Sequence, residues 1–207
     1  MLHDDLWTAN RDLAHACLAH PFVRGLADGS LPRAAFACYV AQDAFFLQAF
    51  FRAYALAAAK CKRAEEAECF HRFMGGVLDE LKVHKSYSAG WGIDLSRVEP
   101  LAATRAYTDF LLRTAWHADA GQTAAAMAPC MRLYAFLGCE LAKTPTPDNP
   151  YDEWITNYSS AEFDALAGEV ESLLDRVATD GPGVRDAYRY AMRCELDFFS
   201  APLEVET

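Results

Sequence analysis

Cys130 is the first residue whose surroundings suggest chemistry, in the run Ala124-Ala125-Ala126-Met127-Ala128-Pro129-Cys130-Met131-Arg132-Leu133-Tyr134. A proline inside a helix removes one backbone donor and crowds the carbonyl four residues earlier, so a kink is expected beside the thiol. Tyr134 lies one turn further on, on the same face. A thiol and a phenol turned toward a cavity would suit nucleophilic catalysis, whereas most such cysteines are small inert core residues; the run alone leaves both readings open. The other six cysteines (Cys17, Cys38, Cys61, Cys69, Cys139, Cys194) have no such setting.

Two carboxylates stand among apolar neighbours at helical spacing. Asp43 shares a face with Tyr39, Phe46 and Phe50, and Glu195 with Tyr188, Ala191, Met192, Phe198 and Phe199. A bare buried carboxylate is costly, so each must be paired, hydrogen-bonded or at the edge of its stripe. For Asp43 the spacing allows a residue at the stripe's edge, solvated or paired with Arg52 or another base, or an acid facing a ligand. Desolvation would raise either carboxyl toward the range useful for proton transfer near neutrality. Glu80 and His84, four residues apart, have the spacing of a metal-binding helix. No second carboxylate–histidine pair follows late in the chain, so an intrahelical ion pair is the simpler reading and no metal is expected. The segment Tyr151-Asp152-Glu153-Trp154-Ile155-Thr156-Asn157-Tyr158 could plug a bundle or wall an aromatic ligand.

The elements that must position these residues are helices. Alanine occurs 38 times against 11 for valine and isoleucine together, a balance that disfavours a large sheet. A first helix is predicted from Leu6 to Ala19, halted by His20-Pro21. A second, capped by Ser30, runs to about Ala59, and a third from Arg63 to Tyr87 stops around Gly90 and Gly92. A fourth opens at Glu99-Pro100 and reaches Ala118, with a turn at Asp119-Ala120-Gly121. A fifth spans Thr123 to Ala142 with Pro129 inside. After the loop from Thr144 to Pro150 come a short segment from Tyr151 to Asn157 and helices near Ala161–Thr179 and Pro182–Phe199. One all-α domain over residues 1–207, a helical bundle, is the expected architecture.

With 53% hydrophobic and 23% charged residues, disorder is excluded. A net charge of −10 opposes nucleic-acid binding. The apolar stretch from Phe36 to Ala59 is interrupted by Asp43 and Arg52, short of the roughly 18 uncharged residues of a membrane span. No secretory signal is seen, and seven irregularly spaced cysteines suit a reducing cytoplasm.

Taken together, Tyr39-Val40-Ala41-Gln42-Asp43, Ala128-Pro129-Cys130-Met131-Arg132-Leu133-Tyr134, the Tyr151–Trp154–Ile155–Tyr158 pattern and the late Glu195 resemble the TenA family, the thiaminase II or aminopyrimidine aminohydrolase proteins of thiamin salvage. The resemblance covers about Leu6 to Phe199. It implies a heme-oxygenase-like bundle, commonly a homotetramer, with neither heme nor metal. It also implies hydrolysis of an aminopyrimidine at its exocyclic methylene carbon, releasing hydroxymethyl-pyrimidine and ammonia, or the thiazole when thiamin is the substrate. By the family's pattern Cys130 is the nucleophile, Glu195 the general acid/base, and Asp43 the grip on the ring's amino edge. Tyr107, Tyr134 and Tyr158 would line the pocket. Relatives often carry tyrosine where this chain has Phe46, so one hydroxyl contact is missing or replaced. A non-catalytic pyrimidine-binding or regulatory protein, and a non-heme di-iron oxygenase built around Glu80 and His84, are the alternatives.

Overall fold

The computed structural model describes residues 1–91 and 98–205, with side chains over 1–82 and 98–205. Among the described residues every regular element is helical: α1 (Leu2–Ala9), α2 (Arg11–Ala19), α3 (Pro21–Asp28), α4 (Arg33–Lys60), α5 (Ala64–Trp91), α6 (Ala102–His117), α7 (Ala120–Leu141), α8 (Asp152–Tyr158), α9 (Ala161–Val177) and α10 (Pro182–Glu204). The long helices α4, α5, α6, α7, α9 and α10 pack around one core, in which Phe22, Phe36, Tyr39, Phe50, Tyr107, Leu111 and Phe199 are fully enclosed.

Local chemistry explains where the boundaries differ from expectation. The predicted first helix is broken at Asn10, whose backbone leaves the helical region and whose side-chain amide donates to the Leu6 carbonyl. His20-Pro21 ends one helix and also starts another. Pro21 occupies the first turn of α3, where its missing N–H costs nothing, and His20 Nδ1 accepts from the Phe22 amide. Gly29, at φ 77°, closes that helix in the left-handed conformation that glycine adopts without strain. Ser30 is not the cap of α4. Pro32 holds that position, and the Ser30 amide instead donates to Asp28. Asp119 does not open a free turn but caps α7, accepting from the Gln122 amide, so Ala120 and Gly121 are already helical. The helix α5 runs through Gly90, and the stop expected at Gly92 lies outside the described residues.

By length and mean hydropathy α4 could cross a membrane, which the count of uncharged residues had excluded. Yet 67% of its most apolar window is buried inside the bundle, where a core helix places its hydrophobic surface.

α4 also brackets α6. At one end the Gln42 amide donates to the Glu99 carbonyl and its oxygen accepts from the Leu101 amide, 2.8 Å away. At the other, the Lys60 ammonium donates to the carbonyls of Ala115, Trp116 and Ala118 at 2.6–2.8 Å. These carbonyls lie at the end of α6, where intrahelical partners run out and a cation complements the dipole. A third fastening joins α7 to α9. Arg132 forms a two-pronged pair with buried Glu171 at 2.8 and 2.6 Å and reaches Asp164 at 2.7 Å.

α8 rides close on α7 because position 138 has no side chain. A Cβ on Gly138 would fall inside contact distance of the Tyr158 and Ser159 backbone. Gly138→Ala is therefore expected to push α8 outward at about 1–3 kcal/mol, lowering the melting temperature by roughly 5 °C. An unchanged thermal unfolding curve would refute that close approach.

Candidate active site

A cavity of about 770 Å³ lies between α4, α5, α7, α8 and α9. Its walls are mainly rings: Phe36, Tyr39, Phe46, Phe50, Tyr134, Trp154 and Tyr158 among them. Their geometry is interlocked, with Tyr134 and Tyr158 centroids 4.9 Å apart and Trp154 and Tyr158 4.6 Å apart. The Tyr39 hydroxyl donates to that of Tyr134 at 3.2 Å and accepts from the Trp154 indole at 3.4 Å. Such a cavity suits a flat aromatic ligand, since ring faces and edges supply both apolar area and orientation.

Five of the site residues named from the sequence lie on this wall: Asp43, Phe46, Cys130, Tyr134 and Tyr158. Asp43 is buried on α4, and Arg52, its expected partner in the solvated reading, belongs to a separate surface groove with Phe51 and Trp116. α7 continues unbroken through Pro129, and Cys130 is partly exposed, to the cavity. Phe46 packs against Tyr107 at 4.8 Å and Phe50 at 5.2 Å.

Tyr107 and Glu195 stand one layer behind. Tyr107, expected to line the pocket, donates its hydroxyl to Glu195 Oε1 at 2.7 Å, across the contact between α6 and α10. Glu195 is 1% exposed, with its carboxyl also reached by a weaker hydrogen-bonding contact from Cys130. Burial lifts its pKa to about 8, against the Tyr107 hydrogen bond that pulls it down, with Asp43 adding to the rise and Cys130 opposing it. The carboxyl therefore holds its proton at neutral pH. Burial first, then Glu195, Asp43 and Glu80, push the Cys130 thiol well above its ordinary range. Thiol and acid are thus both protonated until a ligand changes the local charge.

Two residues named from the sequence but not assigned to the site, Tyr39 and Glu80, also lie on the wall. Tyr39 is one turn before Asp43. Glu80 completes the series Phe73, Gly76, Val77, Glu80, spaced i, i+3, i+4, i+7, and all four line the cavity. Its pairing with His84 lies outside the described side chains. Among the described residues no three His, Cys, Asp or Glu side chains converge as a metal ion would need.

The TENA/THI-4/PQQC family model matches residues 7–201. This chain belongs to that family. An aminopyrimidine aminohydrolase from Halalkalibacterium halodurans is 34% identical over 165 residues, covering 77% of this chain and 74% of that protein. The bifunctional TH2 protein (mitochondrial) of Arabidopsis thaliana is 36% identical over 208 residues, covering 87% of this chain but 34% of its own length. The thiamine biosynthesis multifunctional protein ThiED of Corynebacterium efficiens is 35% identical over 176 residues, 81% of this chain and 23% of that protein. The chain thus spans about a third or less of these last two curated relatives. Among solved structures, a TenA homologue from P. horikoshii superposes with TM-score 0.90 at 26% identity, covering 98% of each chain.

The raised acid has a measurable thermodynamic signature. Glu195 moves from an ordinary 4.5 to about 8 on folding, so the unfolded chain releases its proton first. Its neutral form is no burden below pH 4.5, and stability is lost progressively as pH rises from there through 8, at up to about 1.4 kcal/mol per pH unit. Glu195→Gln should remove that decline. Urea unfolding at pH 5 and 7.5 checks this, and equal pH slopes for the two proteins would refute it.

Proposed function

We propose that this protein hydrolyses thiamin-derived aminopyrimidines at the exocyclic methylene carbon, with Cys130 as nucleophile, Glu195 as general acid and base, and Asp43 gripping the ring. What supports the reading is one observation above others: Asp43 of α4 and Cys130 of α7 line one cavity walled by aromatic rings, with the Glu195 carboxyl of α10 buried in the layer behind it on the Tyr107 hydroxyl. Relatives named aminopyrimidine aminohydrolase, at 34% and 30% identity, point the same way.

The chemistry follows from charge. The amidine-like edge of an aminopyrimidine offers an amino donor and, when the adjacent ring nitrogen is protonated, a second N–H, which a carboxylate such as Asp43 accepts together. Adding sulfur to a ring carbon forms an S–C bond and moves an electron pair onto ring nitrogen, which must be met by a proton. Glu195, protonated near neutrality, supplies it. The pair then returns and expels the amine from the exocyclic carbon, and the thiol's proton ends on the departing amine. Water adds to the exposed methylene and gives its proton to the Glu195 carboxylate. Breaking the S–C bond, with the proton on ring nitrogen passing to sulfur, restores the aromatic ring and the thiol. The products are a hydroxymethyl-pyrimidine and ammonia. Tyr107 holds Glu195 in place for both transfers, while Tyr134 and Tyr158 bound the ring.

A cytoplasmic homo-oligomer, a tetramer by the family's pattern, belongs to the same reading. Seven unpaired cysteines support the compartment, and Trp116, 66% exposed beside Phe51 and Leu112, supports an interface between copies. The charge of −10 supports a small-molecule rather than a nucleic-acid partner.

Ammonia release from aminomethyl-pyrimidine is the direct assay, with thiamin and formylaminomethyl-pyrimidine compared beside it. Cys130→Ser should lower turnover about 10³-fold or more with the fold intact. Turnover equal to wild type would remove the nucleophile. Asp43→Asn should mainly weaken binding of hydroxymethyl-pyrimidine, by roughly 10–100-fold in calorimetric titration. Because Glu195 must carry its proton, kcat/KM should fall as pH rises through about 8. A flat profile from pH 7 to 9 would contradict that role.

A further inference from the structure

Tyr54 has no part in the chemistry above, yet it lines the same cavity. It follows Asp43 by eleven residues, about three helical turns, so both stand on one face of α4 with their Cα atoms about 16 Å apart along its axis. Between them Phe46 and Phe50 form a ladder, with centroids 5.2 Å apart and Phe50 4.8 Å from the Tyr54 ring. Beyond it, Tyr54 packs on Phe70 and Phe73 of α5, at 5.8 and 5.5 Å. The residue is 2% exposed, so these rings hold the phenol in place.

Its hydroxyl has no hydrogen-bond partner among the described residues. Among them, the sealed side-chain polar atom left unpaired is Thr104 Oγ1, so the Tyr54 oxygen, unpaired but not sealed, opens on the cavity its ring lines. A buried hydroxyl without a partner is costly, and in a native fold it calls for an explanation. Burial first, then the Cys130 and Glu80 charges, hold this phenol well above its ordinary pKa range. The proton therefore stays on, and the group can donate one hydrogen bond and accept another.

A single pyrimidine held at Asp43 and Cys130 is much shorter than the interval to Tyr54. A cavity of about 770 Å³ is of the size that takes a drug-sized ligand rather than a lone ring. The substrate that fills it has a leaving group that continues along the Phe46–Phe50 ladder and ends in a group able to pair with a phenol. We propose that Tyr54 is a specificity residue for the leaving group: its hydroxyl exchanges a hydrogen bond with a neutral hydroxyl at the far end, and so favours two-ring substrates such as thiamin, whose thiazole carries a hydroxyethyl arm, over pyrimidines that release only ammonia. This rests on the proposed function and names the substrate class of the same site.

A hydroxyl suits the position better than an ion. A phenol can match a hydroxyl donor for donor, but it cannot neutralise a charge, and Phe50, Phe70 and Phe73 around it supply no counter-charge. The arm lies far from the breaking C–N bond, so its hydrogen bond is made alike in the bound substrate and in the transition state. Its contribution belongs in Kd and KM rather than in kcat.

The test titrates Cys130→Ser protein calorimetrically with thiamin and with its deoxy analogue, in which an ethyl arm replaces the hydroxyethyl. Thiamin should bind roughly tenfold more tightly. Adding Tyr54→Phe should erase that difference, weakening thiamin roughly tenfold and leaving the analogue within about twofold. With Cys130 in place, Tyr54→Phe should raise KM for thiamin and leave kcat within about threefold. Tyr54→Phe alone should leave the melting temperature unchanged or slightly raised, because no hydrogen bond is lost. A lowered melting temperature would reveal a partner inside the protein and overturn the proposal. So would equal affinity for the two ligands before Tyr54 is changed, or a preference for thiamin that survives the change. If wild type releases neither ammonia nor thiazole yet the titrations separate the two ligands through Tyr54, the hydrolytic reading fails while the pairing with Tyr54 stands.

Discussion

The site depends on one buried hydrogen bond, from the Tyr107 hydroxyl to the Glu195 carboxyl. A carboxyl that is 1% exposed has few ways to remain in a core of Met192, Phe198 and Phe199. It must be neutral, or it must be given donors, and this one is held near the balance between the two conditions. Burial keeps the proton on, and a single phenol keeps the charged form accessible. Removing the donor would strand the acid as a purely structural group. A second strong donor would make it a permanent anion beside a thiol that burial, Asp43 and Glu80 already discourage from ionising. The arrangement of α6 against α10 preserves that balance.

Around this pair the bundle distributes roles by helix. α4 supplies Asp43 and several rings, α7 the sulfur, α8 the tyrosine and tryptophan of one wall, and α5 the stretch from Phe73 to Glu80. No element carries more than a fraction of the site, so its geometry is as good as the fastenings between helices. Those fastenings are polar: Gln42 and Lys60 at α6, Arg132 between α7 and α9, and the Tyr39 hydroxyl linking Tyr134 and Trp154. The apolar core brings the helices together without direction, and hydrogen bonds of defined length set their register.

Much of this was legible beforehand. The helical class followed from alanine content and punctuation, and Asp43, Cys130, Tyr134, Tyr158 and Phe46 fell on one wall as their spacing and the family resemblance implied. What escaped had a local physical cause. α3 was lost because a proline reads as a stop when it equally begins a helix. The break at Asn10 depends on a side chain returning to the Leu6 carbonyl, which no periodicity records. Tyr107 was placed on the wall when its hydroxyl points into the second layer, because the direction of a phenol is decided by a residue 88 positions away. Glu80 was judged by its neighbour His84, although the stripe of Phe73 and Val77 was the better guide.

The bracket that α4 forms around α6 has a consequence for the exterior. Gln42 holds the beginning of α6 and Lys60 its end, so the two helices shift as one body if they shift at all. Trp116 and Leu112 sit on the outer surface of that body, and Asp43 and Tyr107 on the inner. Whatever leans on the tryptophan therefore meets both helices together, with Asp43 and Tyr107 on their far side.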